Sequence, residues 1–467
     1  MYKDRINEYF ESHRHEIIHN IGRLISVRSV KGEALEGMPF GSGPAEALKL
    51  ALEISGGLGF ICKNYENYVG TVDINDRDTS LGILAHLDVV AEGTNWTFEP
   101  YKGTLKDGKL YGRGAGDDKG PAVAALYAMA AVKDLGIELR SNVRLILGTD
   151  EESGSQDIKY YFSKESPPPC VFSPDGEFPL INTEKGSIGT SFEAVYAESV
   201  QLPRIISARG GYRSNVVPPD AEALIEGIRA GEVEKYCAGA SQATGVGFCV
   251  SEEGGGKIKI SAEGTGAHAS TPEKGKNAVA ALLLLLSSMP FSECEGFNAI
   301  KALNGIFPYG DYYGEAAGIN MSDEISGELT LSLNILEYTS EKLYGYFDSR
   351  VPLCATEENT LEVLRRRLSE AGIKLENRGF SGAHHTPEDS PFVKTLLSAY
   401  EKYTGKEGYC MHSGGGTYVH DIDGGVCFGC TMPGIDTSIH GADEFAVVED
   451  LITSAKIFAQ VIIDMCR

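Results

Sequence analysis

Apolar positions recur at two different periods along this chain, and the change of period divides it. Over residues 1–25, Ile6, Phe10, Ile17, Ile21 and Leu24 fall at helical spacing on one face, which predicts an amphipathic helix. A Gly-rich stretch with a second helix inside it follows. "LGILAH" (81–86) is a short apolar run that predicts a buried strand. "KGPAVAALYAMAAVKDLG" (119–136) reads as a helix with Pro121 near its start and Gly136 at its end. "NVRLILGTDEES" (142–153) and "PPPCVFSPDGE" (167–177) each read as a strand running into a loop. Strands alternating with helices predict an α/β domain with a mixed, mostly parallel sheet flanked by helices.

After Gly186 the period shortens. "KIKISAEG" and "ELTLSLNILEY" alternate, and the amphipathic "TLEVLRRRLSEAG" lies among such segments, so residues 187–380 read as a separate α+β domain. Helix-period patterns return in "FVKTLLSAYEKYTG" and "AVVEDLITSAKIFAQVIIDM", with the Gly-rich "HSGGGTYVH" and the strand "GGVCFGC" between them. The expected organisation is one domain, 187–380, inserted into another built from 1–186 and 381–467. No short-period repeat or low-complexity tract interrupts it.

Composition narrows the function. The chain has 467 residues, and 66 acids against 42 bases give a formal net charge of -24, the opposite of a nucleic-acid binder's basic footprint. The longest strongly apolar run, Ala278 to Leu286, is too short to span a bilayer, and the charged "MYKDRINEYF" lacks a signal peptide's apolar core. The expectation is a cytoplasmic protein with no membrane or nucleic-acid partner. The ten cysteines are then free thiols, and "CFGC" (427–430) lacks the second pair that a zinc ribbon needs. Core packing is the favoured reading of that motif over redox chemistry. "HEIIH" (15–19) matches the H-E-x-x-H zinc motif, but His15 and His19 lie opposite the apolar face of their helix, which predicts a solvated surface.

Candidate chemistry gathers elsewhere. His86 and Asp88 follow the strand "LGILAH". Asp117 and Asp118 precede a helix, Asp150, Glu151 and Glu152 follow one strand, and Asp175 follows another. His440 sits in "SIHGADE", just before the final helix. Ligands collect at the carboxyl ends of strands in open α/β sheets. Suppose that His86, Asp117, Glu152, Asp175 and His440 converge. Three carboxylates would repel one another, and two divalent cations ~3.5–4 Å apart would neutralise them and activate water. One carboxylate must then bridge. Asp88 remains to orient the His86 ring and Glu151 to serve as general base.

In the order "HLDVV", "GRGAGDDKG", "GTDEESG", "SPDGE", "HGADE" the chain resembles the dinuclear-zinc metallopeptidase family of aminoacylase, carboxypeptidase G, succinyl-diaminopimelate desuccinylase and carnosinase. The long insert brings it nearest to the bacterial PepV-type dipeptidase branch. The resemblance implies a zinc-peptidase-like catalytic domain with an inserted lid domain, and a metallo-dipeptidase in which Asp117 bridges and the Asp117–Asp118 peptide is cis. It also implies substrate contacts from His268 in "GTGAHAS", Asn215 in "GGYRSNVVPP" and Arg350 in "FDSRVP". The loop "SGGGTY", with Gly414, Gly415 and Gly416, would hold the substrate's carboxylate as an amide nest. Lid closure about hinges near 185 and 381 and a monomeric state follow from the same likeness. Zinc, manganese and cobalt all suit the ligand set. An N-acyl-amino-acid deacylase or desuccinylase with the same centre is the competing reading, and a non-catalytic binding protein on the same fold the remoter one.

Overall fold

The computed structural model describes residues 2–376 and 379–467. They form two compact units: Met1–Thr183 with His385–His412 and Gly416–Arg467, and Glu184–His384 with Ser413–Gly415.

In the first unit the strands Asn142–Gly148, Thr79–His86, Cys170–Ser173 and Val426–Cys427 lie side by side and parallel. Val69–Asp73 and then Ile61–Tyr65 extend one side of the sheet in antiparallel pairing. Alternation splits the central strands between two cores. Ile83, Ala85, Leu145, Leu147 and Phe172 face the larger one, formed with the helices Lys3–Ile25, Lys119–Asp134 and Val448–Cys466. Leu84, Ile146 and Val171 face the opposite side, against Ile158, Tyr161 and Tyr418. Lys119–Asp134 is buried along nearly its whole length, which its run of alanines permits because small side chains let helix and sheet approach closely. On Lys3–Ile25, Ile17 and Ile21 are buried whereas His15 and His19 are exposed, and Glu16 accepts a hydrogen bond from Tyr127 Oη (2.9 Å). Cys427 and Cys430 are buried and their thiols are not joined.

The second unit carries an antiparallel sheet in the order Gly247–Glu252, Lys257–Glu263, Asp220–Glu226, Arg204–Gly210, Thr330–Thr339, Lys342–Val351, Gly186–Val195. Its strands alternate buried and less buried positions, as a sheet with one covered face requires. The apolar run at 278–286 forms the buried helix Ala278–Ser288, and Asn277 caps it by accepting from Ala280 N–H (2.9 Å). Among the described residues no helix is long and apolar enough to cross a membrane.

Candidate metal centre

Parallel register brings three loops to one edge of the first unit's sheet. His86 pairs with Gly148, and Ile83 with Phe172, so the chain leaves all three strands at nearly the same level. The first exit carries His86 to Asp88, the second Asp150 to Glu152, the third Asp175. The Asp117–Asp118 peptide, which is cis, delivers Asp117 to the same place just before the helix Lys119–Asp134. His440, at φ 62, arrives from the loop that precedes the final helix.

Asp117 lies between the two imidazoles. Its Oδ1 is 2.8 Å from His86 Nε2, and its Oδ2 is 3.0 Å from His440 Nε2. His440 Nε2 also lies 3.1 Å from Glu152 Oε1, and His86 Nε2 lies 3.6 Å from Asp175 Oδ2. Ligand atoms of His86, Asp117 and Glu152 fall within 4.8 Å of one another, as do those of His86, Glu151 and Asp175. His86 Nε2 and Asp117 Oδ1 are buried, yet neither has a hydrogen-bond partner of acceptable geometry despite their closeness. Polar atoms orphaned face to face in this way suit a cation that both can bind.

The charge balance points the same way. Burial, reinforced by neighbouring carboxylates, pushes Glu151 well above the usual carboxylate range, and Glu152 and Asp175 upward as well. His440 is raised to about 11 by Asp117 and Glu152. Burial opposes a charge on His86, but Asp117, Asp175 and Asp88 outweigh it and lift its pKa well above the ordinary value. The site is thus short of positive charge, a deficit that divalent ions would fill with release of those protons. The residues present fit such ions.

Asp88 departs from the arrangement expected of its side chain. The His86 ring donates from Nδ1 to the Asp88 backbone carbonyl (3.0 Å), which leaves Nε2 as the ligand atom. The Asp88 carboxylate lies 3.5 Å from Nδ1 and instead accepts from the backbone N–H groups of Glu151 and Glu152, both at 3.1 Å. Asp88 therefore orients the ring through its main chain and the acidic turn through its side chain.

Three supports hold these residues through contacts that no local sequence pattern reveals. Glu444 Oε1 accepts from the N–H groups of Gly114 (3.0 Å), Gly116 (3.0 Å) and Asp117 (3.3 Å). Its other oxygen pairs with Arg113, which also donates to the Gly441 carbonyl (3.0 Å). This buried pair ties the Asp117 loop to the His440 loop. Asp157 accepts from Thr149 N–H (2.6 Å) and Asp150 N–H (2.9 Å) and from the Tyr418 hydroxyl. The Tyr418 ring meets His86 edge-on at 6.2 Å. A Cβ at Gly148 would collide with both Tyr418 and Asp157, so only glycine fits there. Asp118, finally, accepts the His86 backbone N–H (3.0 Å). "GRGAGDDKG" and "HGADE" contain the first pair, but nothing in their spacing says that the two charges meet.

The remaining candidates lie in the second unit, apart from Gly416. His268 is exposed on the two-residue strand Ala267–His268, and its Nδ1 accepts from Ser270 N–H (3.2 Å), which places the ring proton on Nε2. Asn215 is exposed beside it, its carbonyl accepting from Ala269 N–H (2.9 Å). Arg350 is held by Asp348 through two nitrogens (2.8 and 3.1 Å) and donates to the Gly414 carbonyl (3.0 Å). Of the three glycine amides read as a nest, that of Gly415 donates to Ser413 Oγ (3.0 Å).

Residues 82–464 match the peptidase family M20/M25/M40, and the chain belongs to that family: it is a peptidase. It is similar to a putative dipeptidase, YtjP, of Bacillus subtilis strain 168, with 34% identity over 97% of this chain and 98% of that one. It is also similar to a beta-Ala-Xaa dipeptidase of Lactobacillus delbrueckii subsp. lactis, with 32% identity over 98% of each chain. Human carnosine dipeptidase 1 shares the fold, with a TM-score of 0.61 at 15% identity over 100% of this chain and 99% of that one.

Proposed function

We propose that this peptidase is a cytoplasmic, monomeric metallo-dipeptidase acting on small peptides. The observation that carries the reading is the position of Asp117, with one oxygen toward each of two imidazoles and one of those oxygens orphaned in the interior. His86, Asp117, Glu152, Asp175 and His440 would hold two divalent ions, with Asp117 shared; zinc suits the set, as do manganese and cobalt. Bound there, the ions would polarise the scissile carbonyl and lower the pKa of water.

The chain's own residues do the rest. Glu151, held by its backbone N–H on Asp88, takes the proton of the attacking water and passes it to the leaving amine as the C–N bond breaks. Residues 187–380 act as a lid. From it His268 donates its Nε2 proton to the oxyanion, with Asn215 beside it. Arg350, already oriented by Asp348, and the segment Gly414 to Gly416 receive the substrate's carboxylate. The dipeptidase names of the full-length relatives support this choice of substrate over N-acyl amino acids.

The test is metal analysis of the purified protein, then chelation and re-addition of zinc, manganese or cobalt, with dipeptides and N-acetyl amino acids assayed side by side. Two ions per chain and restored dipeptide hydrolysis are expected. Undiminished activity after complete metal removal, or turnover of N-acetyl amino acids alone, refutes the reading.

A further inference from the structure

A cavity of about 530 Å³ opens in the first unit beside Asp117 and Asp175. Two features of its wall stand out. Ile435 and Ile439 are 37% and 53% exposed, and Ile439 lies against Gly116, next to Asp117. Glu177 and Asp436 are exposed carboxylates on the same wall, and no lysine, arginine or histidine lines the cavity among the described residues. Asp436 is fixed in place by accepting from Ser438 N–H (2.9 Å). Asp117, buried and with an unpartnered Oδ1, also lines the cavity.

A wall that combines exposed aliphatic surface with negative charge selects its guest on two grounds. It accepts aliphatic surface, and it repels a carboxylate while tolerating or attracting a cation. Of a dipeptide's two ends, only the ammonium end is compatible with it. We infer that this cavity takes the N-terminal residue of the substrate, and that Glu177, Asp436, Ile435 and Ile439 make the enzyme prefer dipeptides whose N-terminal side chain is aliphatic or basic over those in which it is acidic. The inference rests on the dipeptidase reading and adds a substrate class to it.

The experiment compares kcat/KM of the zinc-loaded protein on Leu-Ala, Lys-Ala and Asp-Ala. Leu-Ala should exceed Asp-Ala by about fivefold and Lys-Ala should exceed it by about tenfold or more, the scale set by two exposed carboxylates acting together. In the Glu177→Gln/Asp436→Asn double variant the Lys-Ala to Asp-Ala ratio should fall to within about threefold, and Asp436→Lys should invert it. Both residues are exposed, so the fold tolerates these changes. Dipeptide hydrolysis without discrimination against Asp-Ala, or a ratio unmoved in the double variant, overturns the pocket assignment alone. No hydrolysis of any dipeptide by protein of full metal content overturns the pocket and the dipeptidase reading together.

Discussion

Removing the Glu444 carboxylate tests whether the metal ligands are held by their supports. Arg113 and Glu444 are both 0% exposed, and their pairing joins the loop of Asp117 to the loop of His440. In Glu444→Ala a buried guanidinium loses its counter-charge, which costs about 3–5 kcal/mol. The N–H groups of Gly114, Gly116 and Asp117 lose their acceptor at the same time. Each orphaned amide adds about 1–3 kcal/mol unless water enters the vacated space. Against a total stability of about 5–15 kcal/mol the change is large. Glu444→Gln keeps one acceptor oxygen but turns an amide nitrogen toward Arg113 or toward the backbone, so it should recover only part of the loss. Adding Arg113→Met to Glu444→Gln removes the unpaired charge and should recover about 2 kcal/mol more.

Urea unfolding of the metal-free proteins measures the stabilities, and hydrogen exchange at Gly114, Gly116 and Asp117 locates the loosening. Chelator competition on folded protein should show metal held about 10–100-fold more weakly in Glu444→Gln, because ligand-supporting contacts contribute on that scale. A Glu444→Ala protein within about 1 kcal/mol of the parent, with equal metal affinity, would refute the reasoning.

Three further outcomes are expected. Glu151→Gln should lower kcat by about 10²–10⁴-fold while metal content stays at two ions; equal loss of metal would make Glu151 a ligand rather than a base. Burial and the Asp88 charge raise Asp157 to about 6 despite its hydrogen bonds to Tyr418 and Thr149. The native state therefore binds more protons than the unfolded chain between about pH 4 and 6, and stability falls as pH rises through that window, by about 3 kcal/mol in all. Denaturation midpoints of Asp157→Asn measured across the same range should lack this slope, and an identical slope in both proteins would locate the titration elsewhere. His15→Ala and His19→Ala should leave metal content and peptidase rate at parental values, since both side chains are exposed and Glu16 is engaged by Tyr127; loss of metal in either would revive the "HEIIH" motif.

Local pattern made much of this molecule legible. The run "LGILAH" reads as a buried strand because an element covered on both faces needs apolar residues throughout, and it is one, Thr79–His86. The change to alternation after Gly186 reflects an antiparallel sheet covered on one face. The two histidines at 15 and 19 read as surface because helical geometry sets them opposite Ile17 and Ile21, and they are exposed. Residue type and place on a strand also singled out the acids and imidazoles that now lie together, since side chains able to bind metal are few and strand ends are where a parallel sheet presents them.

Which atom meets which was decided by tertiary structure alone. The sequence places Asp88 two residues from His86, but backbone geometry gives the ring nitrogen to a carbonyl and the carboxylate to the turn at Glu151 and Glu152. Arg113 and Glu444 stand 331 positions apart, and a charged side chain read singly is assigned to the surface. Local periodicity reports only what a residue's near neighbours demand. Burial of a charge depends on a partner that arrives from a remote loop, and that partner exists only once the sheet has set its register.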